Sequence, residues 1–313
     1  MINVLITGGT GYVGGRLCEY LSRFNECKVY VATRNKNFYK NSKIKYVEVD
    51  WNNNSSIQNA CYKMDTIIHL AGMNSKDSSS DLNNAVKVNV GNTIKLLNVL
   101  TKSSVKKFIY ISTIHVYGDA LNNKISETST LNPSGNYALT RVMAENEIKK
   151  FSFKNNVTTI ILRLSNAFGK PHNKDVNCWN LLFNDLCKQV VTKNQMILKS
   201  SGQQYRNFIP LSDLCAIIHY FIKNDTFKEL YNVFNLGSYF TAKIIDIAEL
   251  IRSRCIKVFK MKQIKIKFKK NDFEKTTEHF EYDISQLQKI YNNFTFDHHN
   301  EIDELINFCF DNF

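Results

Sequence analysis

The feature that most restricts the fold of this chain is a glycine-rich turn near its N-terminus, Thr7-Gly8-Gly9-Thr10-Gly11-Tyr12-Val13-Gly14. A short apolar run precedes it and an amphipathic segment follows it. The pattern of Gly8, Gly11 and Gly14 suits a sharp turn, a close approach of the backbone to a pyrophosphate and close packing of a helix on a strand. A helix N-terminus also offers free N–H groups to phosphates. The turn therefore predicts a dinucleotide site in a βαβ unit, with contacts from Gly8, Thr10, Gly11, Tyr12, Val13 and Gly14.

The rest of the first half alternates short apolar runs with amphipathic segments, which is typical of strands and helices in βαβ units. Right-handed crossovers then predict an α/β fold with a Rossmann-like doubly wound parallel sheet. After about Phe168 the loops lengthen and this rhythm changes. We therefore expect a dinucleotide-binding Rossmann domain over residues 1–168, with segments near 205–237 returning to it. Residues 169–313 are expected to form a smaller substrate-binding lobe.

The end of the second predicted strand bears on the choice of cofactor. It reads Val31-Ala32-Thr33-Arg34 and lacks the acidic residue that commonly binds the ribose 2′-hydroxyl of NAD. Arg34 can instead form a charge-assisted fork with a 2′-phosphate, which favours NADP(H). If Arg34 stacks on the adenine, NAD(H) suits the site as well. Asp50 and Trp51, at the end of the third predicted strand, are expected to bind the cofactor, with Asp50 near the adenine edge. Alternatively, Asp50 caps a loop.

Charge and cysteine usage narrow the class of protein. The net charge of +13 is spread along the chain without a run of five basic residues. It therefore favours attraction of an anionic substrate, and we expect no nucleic-acid partner. Eight cysteines without a CxxC pair indicate free thiols in a reducing compartment, and no metal site is expected. With no targeting segment and no apolar stretch of about 20 residues, the chain is expected to be cytoplasmic and not inserted in a membrane.

A second group of residues suggests proton transfer. Ser112 and Thr113 end a predicted strand, and Tyr137 and Arg141 lie four residues apart on one face of a predicted helix. A cation beside a phenol favours its ionised form, and a hydroxyl at a strand end can hold a substrate oxygen. Alternatively, the hydroxyls cap a loop and Tyr137 lies on the surface.

Further motifs follow the glycine turn in a recognisable order: His69-Leu-Ala-Gly72, Asn89-Val90, Ser112-Thr113-x-x-Val-Tyr-Gly118, Tyr137-x-x-x-Arg141, Arg163-Leu-Ser-Asn166-Ala-Phe-Gly169 and Arg206-Asn-Phe-Ile209. Together they resemble the extended short-chain dehydrogenases/reductases of the NAD-dependent epimerase/dehydratase family. The resemblance covers essentially the whole chain and implies a nucleoside-diphosphate sugar as substrate, a homodimer, and a role in sugar synthesis for surface polysaccharides.

The same resemblance implies a role for each residue at the site. Thr113 would hydrogen-bond the reacting oxygen, with Ser112 beside it at the substrate. Tyr137 would be the general acid/base. Asn166 and Arg206 would contact the diphosphate of the substrate. Arg141 would hold the nicotinamide ribose and tune Tyr137. Further contacts to the cofactor would come from Leu70, Ala71, Gly72, Asn89 and Tyr137.

One residue departs from the family pattern. The family has lysine where this chain has Arg141, and a planar guanidinium is not equivalent to a compact ammonium. The departure leaves three options open: a working variant, a slow enzyme, or a protein that binds the cofactor without turnover.

The residues after Thr113 distinguish between reactions. Family 4,6-dehydratases carry an Asp-Glu pair there, whereas this chain has Ile114 and His115, so dehydration is disfavoured. Continued strand alternation would point His115 to the side of Thr113, as a second acid/base or as a hydrogen-bond partner of the sugar. The expected function is reduction or oxidation of a nucleotide sugar at C4. The alternatives are a 4-epimerase with retained NAD and a non-catalytic NADP-binding redox sensor.

Overall fold

The computed structural model describes residues 1–34, 43–119, 121–225, 227, 229–269 and 278–313. The chain forms two compact units, each with its own core. The first unit consists of Met1–Asp119, Glu127–Leu164 and Ile217–Asn235. The second unit consists of Ala120–Ser126, Ser165–Ala216 and Leu236–Phe313.

The secondary structure alternates through most of the chain. In chain order the strands are β1 (Ile2–Thr7), β2 (Cys27–Thr33), β3 (Ile44–Glu48), β4 (Thr66–His69), β5 (Lys107–Thr113), β6 (Asn123–Ile125), β7 (Thr158–Leu164), β8 (Asn166–Phe168), β9 (Gln195–Leu198), β10 (Tyr205–Pro210), β11 (Tyr231–Leu236), β12 (Phe240–Lys243), β13 (Lys265–Phe268) and β14 (Phe280–Tyr282).

The helices are α1 (Tyr12–Leu21), α2 (Asn54–Cys61), α3 (Ser75–Ser80), α4 (Leu82–Ala85), α5 (Asn92–Leu100), α6 (Gly135–Asn155), α7 (Leu182–Lys193), α8 (Leu211–Lys223), α9 (Ile244–Lys257), α10 (Ser285–Gln288) and α11 (His298–Asn312). A π-helical turn, Val86–Gly91, leads into α5, and a 3-10 turn, Ile114–Tyr117, follows β5. None of the described helices is long and apolar enough to cross a membrane.

A seven-stranded sheet forms the centre of the first unit, in the order β11-β7-β5-β4-β1-β2-β3. Pairing is parallel from β7 through β5, β4, β1 and β2 to β3. The strand order steps outward from β1 in both directions, which is the doubly wound arrangement. The predicted α/β Rossmann-like fold is therefore confirmed.

The strands of this sheet are apolar along most of their length because helices cover both faces. Every residue of β5 is buried, and Ile67, Phe108 and Ile161 are fully enclosed in the core. Leu96, Leu97 and Leu100 of α5 also face this core. The parallel strands all end at one edge of the sheet, where the glycine turn and Thr113 lie.

Among its described residues, the second unit contains three small sheets and the long helices α7, α9 and α11. Its sheets are β12-β10-β8, β13-β9 and β14-β6. Phe183 is buried and its ring meets that of Phe208 edge-on at 5.2 Å, so it is a core residue. Trp179 packs against Phe313, with ring centroids 4.8 Å apart.

All eight cysteines are free and buried. Burial raises the pKa of the thiols of Cys61, Cys178, Cys255 and Cys309 to about 12. These side chains therefore act as small apolar core residues.

Candidate active site

The glycine turn has the geometry that a pyrophosphate site requires. Gly8 has a φ of 72°, and a Cβ there would lie 2.7 Å from the Ala71 nitrogen. A Cβ on Gly14 would lie 2.2 Å from the Gly8 oxygen. Helix α1 begins directly after Gly11, and no side chain caps its N-terminus. The glycines thus leave the backbone N–H groups uncovered by side chains where a dinucleotide phosphate would approach, so these residues fit the cofactor.

A cavity of about 450 Å³ lies beyond the ends of β2 and β3. The structure brings three predicted cofactor residues, Arg34, Asp50 and Trp51, into its lining. Sequence reasoning missed two further charged residues there, Glu48 and Lys87. Asp50 also serves the loop, because its Oδ1 accepts a hydrogen bond of 2.9 Å from the Asn52 nitrogen.

A buried histidine ties the glycine turn to the neighbouring strand. The Oγ1 of Thr93 donates to the Asn89 carbonyl oxygen (2.7 Å), so it accepts from His69 Nε2 (3.0 Å). Nδ1 of His69 therefore accepts from Thr7 Oγ1 (2.6 Å), which in turn accepts from the Ala71 nitrogen (3.2 Å). Burial, with a smaller contribution from the nearby Arg141 cation, lowers the pKa of His69 to about 3. His69 is thus neutral and holds one tautomer.

Asn89 continues this network toward α6. Its Oδ1 accepts from the Met73 nitrogen (2.7 Å), and its Nδ2 donates to Thr140 Oγ1 (2.9 Å). The Thr140 hydroxyl donates to the carbonyl oxygen of Tyr137 (2.9 Å). The π-helical turn places Asn89 in the core, and such turns are frequent at functional sites. Asn89 thereby fixes both the backbone after β4 and the first turns of α6.

Tyr137 and Arg141 lie on one face of α6, as their spacing predicts. Arg141 is buried, and its guanidinium carbon lies 5.0 Å from the centre of the Tyr137 ring. Its Nη1 donates to the hydroxyl of Tyr110 at 3.1 Å. A fixed cation therefore adjoins the half-buried phenol, which is the arrangement that proton transfer by a tyrosine needs.

Ser112 and Thr113 have separate surroundings. The Ser112 hydroxyl donates to the carboxylate of Glu145, which is also paired with Arg163 at 2.8 Å. The Ser112 hydroxyl thus has a structural role at Glu145, and its expected contact with the substrate stays a prediction. Glu145 was missed, although it lies one helical turn beyond Arg141.

The backbone after Thr113 departs from the strand that was expected to place His115. Instead of continuing the strand, it forms a 3-10 turn, and Thr113 Oγ1 accepts from the His115 nitrogen (3.3 Å). Strand alternation therefore does not apply to His115, which is half-buried. The side chain of Ile114 is buried. Position 114 thus offers no group that could transfer a proton.

The second unit carries the two predicted diphosphate residues on adjacent strands, β8 and β10. Asn166 Nδ2 donates to the Asn207 carbonyl oxygen at 2.8 Å, which fixes the orientation of its amide. Arg206 is half-buried and directly precedes Asn207. The buried side chain of Asn207 bonds in turn to Ser238 and Thr241. This sheet thus presents an amide and a guanidinium from neighbouring, mutually braced strands.

Comparison with known proteins gives the following matches. A family model described as "NAD dependent epimerase/dehydratase family" matches residues 4–237. The dTDP-D-glucose 4,6-dehydratase of Dictyostelium discoideum is 27% identical over 277 residues, or 79% of this chain, and the chain spans 61% of that protein. The GDP-6-deoxy-D-talose 4-dehydrogenase of Aggregatibacter actinomycetemcomitans is 25% identical over 236 residues, or 74% of each chain.

The fold also matches solved structures. The UDP-glucuronic acid 4-epimerase from Bacillus cereus, in complex with UDP-glucuronic acid and NAD, superposes with a TM-score of 0.82. The superposition covers 100% of both chains at 21% identity. At this identity the match establishes the fold over the full length of the chain.

Proposed function

This chain belongs to the NAD-dependent epimerase/dehydratase family, and we propose that it is a nucleotide-sugar ketoreductase or dehydrogenase acting at C4 of the sugar. One observation carries the proposal. Tyr137 adjoins a buried cation, as acid/base chemistry on a carbonyl needs, while Ile114, next to Thr113, excludes a carboxylate. The site is thus equipped for proton transfer to one oxygen but lacks an acid for elimination of water at that position.

The proposed cofactor is NAD(P)(H), bound in the first unit. When bound, it supplies or accepts the hydride. The glycine turn would hold its pyrophosphate, and the cavity with Arg34, Asp50 and Trp51 would hold its adenosine. Arg34 supports a preference for NADP(H), because its guanidinium can pair with a 2′-phosphate.

The protein's own part in the reaction is proton transfer and orientation. In reduction, Tyr137 donates a proton to the ketone oxygen, and in oxidation it removes the proton from the hydroxyl. The Thr113 hydroxyl holds the same oxygen. Arg141 stabilises the phenolate that forms, because its charge is fixed near the ring and shielded from water.

We place the diphosphate of the substrate at Asn166 and Arg206 of the second unit. An arginine fork pairs with phosphate oxygens, and the amide of Asn166 is already oriented by Asn207. The net charge of +13 favours the approach of such an anion. The Aggregatibacter relative, a GDP-6-deoxy-D-talose 4-dehydrogenase, is consistent with this substrate class and with chemistry at C4.

Two alternatives remain within this proposal. A 4-epimerase with retained NAD is favoured by the similarity to the Bacillus cereus epimerase, whose structure contains NAD. His115 would serve as a second acid/base in an enzyme that also inverts a neighbouring carbon. A non-catalytic sensor would bind the cofactor but no nucleoside diphosphate.

We also propose a homodimer formed through α6. Its outer face exposes Leu139, Met143 and Phe153, with exposed fractions of 41%, 37% and 63%. Their spacing places them along one stripe of the helix. Apolar side chains in such a stripe suit a helix–helix interface with a second copy of the chain.

Thermal melting with paired ligands tests the function. The protein is melted with NADPH or NADH, each alone and together with GDP, UDP, dTDP or CDP. A ligand present at about 100 times its dissociation constant should stabilise the folded state by about 2.7 kcal/mol. A higher melting temperature with one cofactor, and a further increase with one nucleoside diphosphate, supports the proposal. A melting temperature that responds to the cofactor alone supports the sensor instead.

A further inference from the structure

We propose that Tyr110 and Gly72 are positioning residues for Arg141, and that the three form a set built for an arginine beside Tyr137. The inference rests on the proposed function, because it states how this chain holds the cation of its proton-transfer site. It bears on the options that Arg141 leaves open, because it gives the arginine its own supporting residues.

The Tyr110 contact follows from the register of β5 against α6. Tyr110 and Ser112 lie two residues apart on a strand and therefore point to the same face. Arg141 and Glu145 lie four apart on a helix and therefore also share a face. Each strand residue therefore contacts one helix residue. The Tyr110 hydroxyl accepts from Arg141 at 3.1 Å, and the Ser112 hydroxyl donates to Glu145.

Both the hydroxyl and the ring of Tyr110 are placed to hold the guanidinium of Arg141. Its side chain is fully buried, and Arg141 Cζ lies 5.7 Å from the centre of its ring. The ring can thus attract the cation while the hydroxyl accepts one N–H. Burial raises the pKa of Tyr110, so the phenol keeps its own proton and accepts from Arg141 as a neutral group.

Gly72 supplies the space that the guanidinium occupies. A Cβ at this position would lie 2.6 Å from Arg141 Nη2 and 3.2 Å from its Cζ. It would also lie 2.7 Å from Asn89 Oδ1, the acceptor for the Met73 nitrogen. Any larger residue at position 72 would therefore push the guanidinium away from Tyr137 or break the Asn89 contact.

The donors of Arg141 are divided between these neighbours and the site. Nη1 is used by Tyr110, whereas Nε is buried and has no partner among the described residues. A buried donor without a partner is costly unless a ligand satisfies it. The resemblance implies that Arg141 holds the nicotinamide ribose, whose hydroxyls can accept such a donor. A lysine carries all its donors on one nitrogen, whereas the guanidinium spreads them over three nitrogens and can reach Tyr110 and a ribose at more widely separated points.

A double-mutant cycle on cofactor affinity tests this set. Dissociation constants for NADPH and NADH are measured by fluorescence titration, without substrate, for wild type, R141K, Y110F and Y110F R141K. Y110F and R141K should each weaken binding about tenfold, the size of one hydrogen bond to a charged group. Y110F in the R141K background should change binding less than about twofold, because the shared contact is already lost.

Further variants distinguish a positioning role for Gly72 and Tyr110 from a general loss of protein stability. G72A should weaken cofactor binding, and G72A R141K should bind better than G72A because the smaller head group relieves part of the clash. Y117F is the matched control, because Tyr117 accepts from a different buried arginine, Arg163, at 2.9 Å. It should lower the melting temperature and leave cofactor affinity and the pH profile of turnover unchanged.

The outcomes are distinct. R141K binding as well as wild type, or Y110F acting equally in both backgrounds, overturns the inference. If the effects of Y110F and R141K on cofactor affinity depend on each other but no nucleotide sugar is turned over, the inference holds and only the proposed function fails. A wild-type protein that binds no dinucleotide overturns both. Where turnover is measurable, Y110F should also shift its pH profile, which a merely structural loss would not do.

Discussion

Glu145 and Arg163 form a buried ion pair directly behind the end of β5, with 2.8 Å between Oε2 and Nη2. Their side chains are only 3% and 6% exposed, so water cannot compensate either charge if the other is removed. The Ser112 hydroxyl bonds to the same carboxylate, and Arg163 also donates to Tyr117. The pair therefore fixes the strand end that carries Thr113.

The first prediction concerns the stability that this pair provides. E145Q should lower the free energy of unfolding by about 3 kcal/mol, because Arg163 then remains buried without a counter-ion. Urea denaturation measures the change. E147Q on the same helix is the control, because Glu147 pairs with a largely exposed lysine, Lys150, and its loss should cost under about 1 kcal/mol. Equal effects of the two changes would contradict this assignment.

The second prediction concerns the acid/base residue. Y137F should lower kcat about 100-fold or more, because the proton donor is removed. Its dissociation constant for the cofactor should stay within about twofold of wild type, since the ring remains against Arg141. Steady-state kinetics and fluorescence titration give the two values. Full turnover in Y137F would remove Tyr137 from the mechanism.

The third prediction concerns pH. His69 has a pKa of about 3 in the folded state, lowered by burial and then by Arg141, against an ordinary value of 6.5. Between these values only the unfolded chain binds the proton, so stability should fall as the pH decreases from 6.5 toward 3, by about 5 kcal/mol in total. Denaturant unfolding across this range should show a shallower pH dependence for H69Q. H299Q, a change at an exposed histidine, controls for loss of an imidazole.

The fourth prediction concerns assembly. L139E M143E should give a monomer, because two charges replace the centre of the exposed stripe on α6. Sedimentation velocity measures the oligomeric state. L181E alters a leucine with a similar exposed fraction, 40%, in the second unit and should leave a dimer intact. A wild-type protein that is already monomeric would end the proposal.

The fold was predictable because its signals are local. The glycine turn and the alternation of apolar runs specify βαβ units from neighbouring residues alone. The supporting residues were not predictable in the same way. Tyr110, Gly72 and Glu145 acquire roles only when β4, β5 and α6 come together, and a buried tyrosine on an apolar strand looks like any other core residue.

Two local features of the site differ from what the sequence indicated, for identifiable reasons. Strand alternation was extended past Thr113, where the backbone turns into a 3-10 helix capped by that residue. The resemblance implies a substrate contact for Ser112, which stays a prediction, whereas successive strand residues face opposite sides. Its hydroxyl consequently reaches Glu145 on α6.

The last prediction concerns cofactor choice at the cavity that contains Arg34. Arg34 is exposed at its rim, where both Lys87 and the acidic side chains of Glu48 and Asp50 also lie. If Arg34 pairs with a 2′-phosphate, R34A should weaken NADPH binding about tenfold and NADH binding much less, because only NADPH carries that charge. R23A removes an exposed arginine elsewhere and controls for net charge. Equal weakening for both cofactors would mean that Arg34 stacks on the adenine, and the site would then suit retained NAD and the epimerase alternative.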